Sequence, residues 1–328
     1  MNYRSISDLN NTILRQLHLI PRDIDLVVGI PRSGMLPANL MALYLNLPYT
    51  DIHSFLNGYI YKSGARRQFF NASDYRKILV VDDSIASGSA LKECRKALAH
   101  LESEFEIRYA VIYYTPEKQH LADIALEEVA TPRFFQWNIF NHTSLEKACY
   151  DIDGVLCVDP TEEENDDGER YRSFLQNAKP LYIPGSRIGT IVTSRLEKYR
   201  KETELWLASH GVSYNKLVML DLPDMKARQK ANDHAGHKAK EYQANGYNLF
   251  VESDLRQAIA INRHTRKPVF CTENFQMIYD SESVVYNIKS GKYLPFLRRL
   301  ALALRNRIRK IRATLQQRKT KVIPTATN

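Results

Sequence analysis

Residues 78–91, ILVVDDSIASGSAL, run an apolar stretch directly into two adjacent acids and then into a loop of small residues that opens toward a helix. Few chain paths accommodate that order. A short apolar run rich in β-branched residues, with polar sequence on either side, reads as a strand buried on both faces, as strands of a parallel sheet are. Parallel strands need crossover connections, usually helices. The first half supplies both: residues 25–29 (DLVVG), 77–81 (KILVV) and 107–113 (IRYAVIY) read as strands, and 35–45 and 89–100 as the helices between them.

A second series follows, with strands expected at 148–151, 189–193, 217–220, 248–251 and 268–271. A chain of 328 residues exceeds the size at which one core usually stops growing. The expected organisation is therefore α/β: two doubly wound parallel-sheet domains at 1–143 and 144–290, and a tail at 291–328. The join falls near 141–146, after the aromatic segment FFQWNIF. The acidic stretch 162–169 reads as a solvated loop.

The net charge of +9 belongs to the tail: twelve of the 46 Lys and Arg lie from Lys289 onward with no acid among them, leaving 34 against 37 acids upstream. Nucleic-acid binding by the folded body is not expected. In the tail Leu297, Leu300, Leu304, Ile308, Ile311 and Leu315 recur at helical spacing among arginines, an amphipathic pattern with a cationic face. Such a helix suits an anionic membrane surface, or packs its stripe on the protein or a partner. The four cysteines are scattered without a CxxC pair, which suits a reducing cytoplasm rather than a zinc or disulfide framework. No apolar run approaches the roughly 20 residues of a membrane span, and the first residues lack the apolar core of a signal peptide. The expectation is a cytoplasmic chain, with peripheral membrane contact through the tail.

At the carboxyl end of a strand, Asp82 and Asp83 can accept hydrogen bonds from two vicinal hydroxyls. The small loop Ala86, Ser87, Gly88, Ser89 and Ala90 lets N–H groups and hydroxyls close around a phosphate at a helix N-terminus. Together they describe a cradle for ribose 5-phosphate; the plainer alternative is a strand, turn and helix with a capping acid. The segment resembles the fingerprint of the type I phosphoribosyltransferase family, which implies that Asp82 and Asp83 hold the ribose and that Ala86 to Ala90 hold the 5-phosphate of phosphoribosyl pyrophosphate. Ala90 departs from the family, which commonly has Thr there, so one hydroxyl contact is missing. Residues 29–34 (GIPRSG), with Arg32 and Ser33, sit where the family has its pyrophosphate-binding loop, and a guanidinium pairs well with two phosphate oxygens. Residues 58–70 (GYIYKSGARRQFF) lie where the family has a mobile lid. Lys62, Arg66 and Arg67 there would neutralise the leaving pyrophosphate, or form a solvated basic loop. No base-binding hood is recognisable.

The second half opens with residues 149–156, CYDIDGVL, two acids one residue apart at a strand end. In a covalent phosphatase one carboxylate attacks phosphorus while another protonates the leaving oxygen and later activates water. Asp151 is the expected nucleophile and Asp153 the acid/base. The segment resembles motif I of the haloacid dehalogenase superfamily, and three further motifs follow in order. Thr193, in IVTSR, matches the residue that bonds the transferring phosphoryl group; Lys238, with Lys240 competing, matches the lysine that neutralises charge. Glu252 and Asp254, in LFVESD, match the acids that hold Mg2+ with Asp151 and Asp153, with Glu252 standing where Asp is usual. The resemblance implies a Rossmann-like fold. Only 39 residues separate Asp153 from Thr193, leaving room for a minimal cap and hence an open site. His234 and His237 read as residues of a solvent-facing helix rather than metal ligands.

The order of the two units resembles the dual-domain ribofuranosyltransferases of bacterial surface-polysaccharide assembly. That resemblance implies transfer of 5-phosphoribosyl to a hydroxyl of a glycan acceptor, lipid-linked in that family, followed by removal of the 5-phosphate. A nucleotide enzyme acting on a free base, and a module that senses phosphoribosyl pyrophosphate without transfer, remain as alternatives.

Overall fold

The computed structural model describes residues 1–61, 75–231 and 233–282. The expected lid cations Lys62, Arg66 and Arg67 and the basic tail lie outside the described residues.

The chain begins with β1 (Asn2–Arg4) and α1 (Ile6–Gln16), whose start is fixed by a capping box between Ser5 and Asp8. Then come β2 (Leu26–Gly29), α2 (Met35–Leu45), β3 (Tyr49–Asp51), α3 (Ile52–Leu56), β4 (Lys77–Ser84), α4 (Ser89–Leu98), β5 (Glu106–Tyr114), β6 (Ile124–Glu128) and β7 (Arg133–Phe135). Strands β3-β2-β4-β5-β6 form a wholly parallel sheet in that order. The apolar run of β4 serves both faces, as strand alternation requires. Leu79 and Val81 pack with Leu9, Ile13 and Met41 of α1 and α2, whereas Ile78 and Val80 pack with Leu91, Cys94 and Leu98 of α4.

The second series contains β8 (Ala148–Tyr150), α5 (Glu169–Asn177), β9 (Ile188–Leu196), α6 (Arg200–Ser209), β10 (Tyr214–Leu220), α7 (Met225–Ala231), α8 (His234–Ala244), β11 (Leu249–Glu252), α9 (Leu255–Thr265), β12 (Val269–Cys271) and β13 (Gln276–Ile278). Its sheet runs β10-β9-β8-β11-β12-β13, parallel except for β13, which returns antiparallel at the edge. Trp206, Leu207, Phe174 and Leu175 of α6 and α5 cover one face; Ala239, Tyr242, Ala258 and Ile261 of α8 and α9 cover the other.

The division between the units is not a single cut near 143. The two-stranded β1-β7 ribbon and the residues after it carry Tyr3, Phe134 and Ile139 into the core of the second sheet. Phe140 stacks on Tyr182 with ring centroids 4.6 Å apart, and the Tyr3 hydroxyl donates to the Phe275 carbonyl at 3.0 Å. The acidic stretch is also not simply solvated: Asp167 accepts from the Met225 N–H at 3.0 Å and pairs with Lys198 at 2.9 Å, which pins the stretch to α7 and to the turn before α6.

Candidate active sites

The first site forms where β2 and β4 end side by side. Gly29 is in register with Val81, and the Ile30 N–H donates to the Val81 carbonyl at 2.9 Å, so residues 29–34 lie against Asp82 and Asp83. Gly34 is required there: a Cβ would meet the Ile30 carbonyl oxygen at 2.5 Å and the Val81 carbonyl oxygen at 2.8 Å. Ser33 Oγ donates to Asp83 Oδ1 at 2.8 Å, tying the loop to the acid. Both acids are buried. Burial, followed by the neighbouring charge of Asp83, pushes the Asp82 carboxyl well above the ordinary carboxylate range. Arg32 lies exposed on the loop. Ala86, Ser87, Ser89 and Ala90 are exposed around Gly88, which holds φ +85° at the start of α4. The N-cap Gly88 has no side chain to offer, and the Ser89 N–H donates to Ser87 Oγ at 3.2 Å, so the small-residue loop brings hydroxyls and N–H groups together at the start of α4, where an anion would bind.

Two side chains that the sequence reading passed over support this site. Trp137 Nε1 donates to Asp83 Oδ2 at 2.6 Å, its ring stacked on Phe135 at 5.0 Å. Buried Arg133 donates to the Ile85 carbonyl just before the small-residue loop. The sequence trace of Trp137 is the aromatic segment 134–140 at the expected join, and Arg133 stands immediately before it.

The second site sits at the carboxyl ends of β8, β9 and β11, over a cavity of about 670 Å³. Lys238 Nζ lies 2.6 Å from both Asp151 Oδ2 and Glu252 Oε2, and Lys240 is exposed. Burial pulls the Lys238 ammonium down, but the charges of Asp151 and Glu252 outweigh it and leave it raised. Burial likewise raises the Asp151 and Glu252 carboxyls against the pull of the lysine. Asp153 is gripped by Arg195, a fully buried guanidinium whose Nη2 lies 2.6 Å from Asp153 Oδ1 and whose Nε lies 3.2 Å from both oxygens.

Residues 2–143 match the family model described as the phosphoribosyl transferase domain. The chain is 29% identical over 121 residues to the xanthine-guanine phosphoribosyltransferase of Chromohalobacter salexigens, covering 36% of this chain and 70% of that protein. It is 34% identical over 86 residues to the transcriptional regulator GfcR of Methanocaldococcus jannaschii, covering 23% of this chain and 37% of that protein. Among solved structures, the Helicobacter pylori xanthine-guanine-hypoxanthine phosphoribosyltransferase aligns at 18% identity and a TM-score of 0.33, over 42% of this chain and 92% of that one. The N-terminal part is a phosphoribosyltransferase-type domain.

Several expectations for the second site need correction. Asp151, Asp153, Glu252 and Asp254 do not converge as one magnesium shell: among the described residues no group of three or more His, Cys, Asp or Glu lies within metal-holding reach. The reason is charge pairing within the protein, since Lys238 ties Asp151 to Glu252 and Arg195 holds Asp153. Glu252 is fully buried, and its Oε1 accepts from the Ser253 and Asp254 N–H groups; Asp254, by contrast, lines the cavity. Thr193 is also buried, its Oγ1 accepting from the Arg195 N–H at 3.2 Å, and Ser194 is the residue of that strand that lines the cavity. His234 and His237 are half-buried rather than solvent-facing, and His234 lines the cavity. Burial lowers both imidazoles, which favours their neutral forms.

A cation still suits the cavity on charge. Asp159, which the sequence reading did not single out, is pushed up to about 6 by partial burial and then by Asp153, Asp151 and Asp254. That mutual repulsion is uncompensated negative charge, and Mg2+ commonly binds through one or two carboxylates while keeping its waters.

Proposed function

We propose that this chain transfers a 5-phosphoribosyl group from phosphoribosyl pyrophosphate at the first site and removes the 5-phosphate of the product at the second. The observation that carries the first half is the junction of Asp83 with the 29–34 loop through Ser33, within a phosphoribosyltransferase-type domain. Asp82 and Asp83 fix the ribose, the open turn of α4 holds its 5-phosphate, and Arg32 neutralises the departing pyrophosphate. The second half is supported by Asp151 beside Lys238 at the cavity floor. Asp151 is the nucleophile toward phosphorus, and Lys238 offsets the charge that builds there. A bound Mg2+ ion supplies further neutralisation of phosphoryl oxygens. Asp159 and Asp254, which line the cavity, are the residues that would hold it.

Two acceptor classes follow from different observations. The printed name of the Chromohalobacter protein favours a purine base. The second cavity favours a glycan hydroxyl: apart from Pro160 and the buried Tyr171 its described lining is polar, which suits a hydroxyl-rich sugar. Pyrophosphate release from phosphoribosyl pyrophosphate, measured with purine bases, with glycan acceptors and with neither, separates them. Release only with a base assigns a nucleotide product, and release only with a glycan assigns a ribosylated sugar. No release with any acceptor would overturn transfer and favour a regulatory module, the role printed for the Methanocaldococcus protein.

A further inference from the structure

The second cavity is rich in acids, with Asp151, Asp153, Asp159, Asp254 and Glu273 in its lining. A phosphomonoester that enters it brings up to two further negative charges. Lys238 is shared by Asp151 and Glu252, so much of its charge is already matched. Arg228 of α7 is different. Its Nη1 donates to the Ser194 carbonyl and its Nη2 to Asn165 Oδ1, each at 3.3 Å. Both acceptors are neutral, and among the described residues Arg228 forms no ion pair with a carboxylate. Beside it, Ser194 Oγ and His234 Nδ1 are buried without a hydrogen-bond partner in the described structure. Buried polar groups are rarely left unpaired, so unmatched ones at a cavity wall point to a ligand that matches them.

We propose that Arg228, with Ser194 Oγ and the His234 imidazole, forms the phosphoryl-binding wall of this cavity and takes the dianionic end of a phosphomonoester. The inference rests on the reading of the second site as a phosphatase and adds to it the groups that receive the phosphate. A guanidinium suits the role because its forked donors meet two phosphoryl oxygens at once. The acidic stretch sets the position: Asn165 accepts from Arg228, and two residues on Asp167 holds the N-terminus of the helix that carries it. No residue of this wall other than Ser194 lies in a segment that the sequence reading matched to a phosphoryl-binding motif.

The test is calorimetric titration of the full chain with inorganic phosphate, paired with steady-state hydrolysis of ribose 5-phosphate. Arg228→Gln is expected to weaken one phosphate-binding event roughly 10- to 100-fold and to raise KM far more than it lowers kcat. Arg228→Lys should recover part of the loss. Lys216→Ala, which removes a surface cation paired with Glu241, should change neither. Phosphate binding and KM that are unchanged in a folded Arg228→Gln overturn the proposal while leaving the phosphatase reading intact. Arg228-dependent phosphate binding in a wild-type chain that hydrolyses no monoester supports the anion site and defeats the phosphatase reading. Should Arg228→Gln fail to fold, Ser194→Ala decides: weakened phosphate binding supports the wall, and wild-type binding overturns it.

Discussion

Asp82 shows how function is held against stability at a single residue. Its carboxyl is buried beside Asp83 and is raised well above the ordinary carboxylate range. The folded chain therefore keeps a proton there that the unfolded chain releases near pH 4, about the ordinary value for Asp. Stability from this group is greatest in acid and falls as pH rises past that value, until Asp82 ionises in the fold as well. Asp82→Asn is expected to abolish transfer and yet to melt roughly 2 °C or more above wild type at pH 7.5, with the difference shrinking toward pH 4. Thermal melts across that range check it, and an equal or lower melting temperature at pH 7.5 contradicts the repulsion. The acid pair at the end of an apolar strand was legible in the sequence. Its partners were not, because Trp137 lies 54 residues from Asp83 and no local spacing announces a contact of that range. Arg195 was in plain view within IVTSR, but only the folded β9 shows that it turns inward to grip Asp153.

At the scale of elements, the long buried strands and the helices beside them were read closely from pattern. The helix expected at 35–45 is α2 as found, and the strand expected at 77–81 extends to Ser84 as β4. Among the strands not expected, β1, β3, β7 and β13 have three residues each, too few to display a period of two, and β6 has five; β8 and β12 are as short but stand out as apolar runs. The turn proposed to hold the 5-phosphate depends on the one glycine in its loop. Gly88 holds φ +85°, and a Cβ there would stand 2.5 Å from Leu121 Cδ1. Gly88→Ala is expected to destabilise the chain by about 1 kcal/mol or more and to raise KM for phosphoribosyl pyrophosphate roughly tenfold, since the turn must tilt the first N–H groups of α4. Unfolding curves and initial rates measure both, and an unchanged KM would mean that the turn does not hold the 5-phosphate.

For the whole molecule, the two α/β series were visible as two runs of strand and helix, whereas their joint was not. Tyr3 and Phe140 come from the first series by position, yet Tyr3 belongs to the core around the second sheet and Phe140 packs against it. Trp137, bonded to Asp83, stands only three residues before Phe140, so a short stretch of chain connects one site to the surface of the other unit. Such an arrangement suits consecutive reactions on one substrate, first transfer and then removal of phosphate. Asp151→Asn keeps the size of the side chain but removes the charge that the proposed nucleophile needs, and uncatalysed monoester hydrolysis is far too slow to compensate. The direct measurement is mass spectrometry of the acceptor after incubation with phosphoribosyl pyrophosphate and the Asp151→Asn chain, using whichever acceptor supports pyrophosphate release. The expected product is heavier than the acceptor by one phosphoribosyl unit and persists until the Asp82→Asn, Asp83→Asn double variant is added, which then removes the phosphate. A phosphate-free ribosyl product from Asp151→Asn alone would contradict the two-step account.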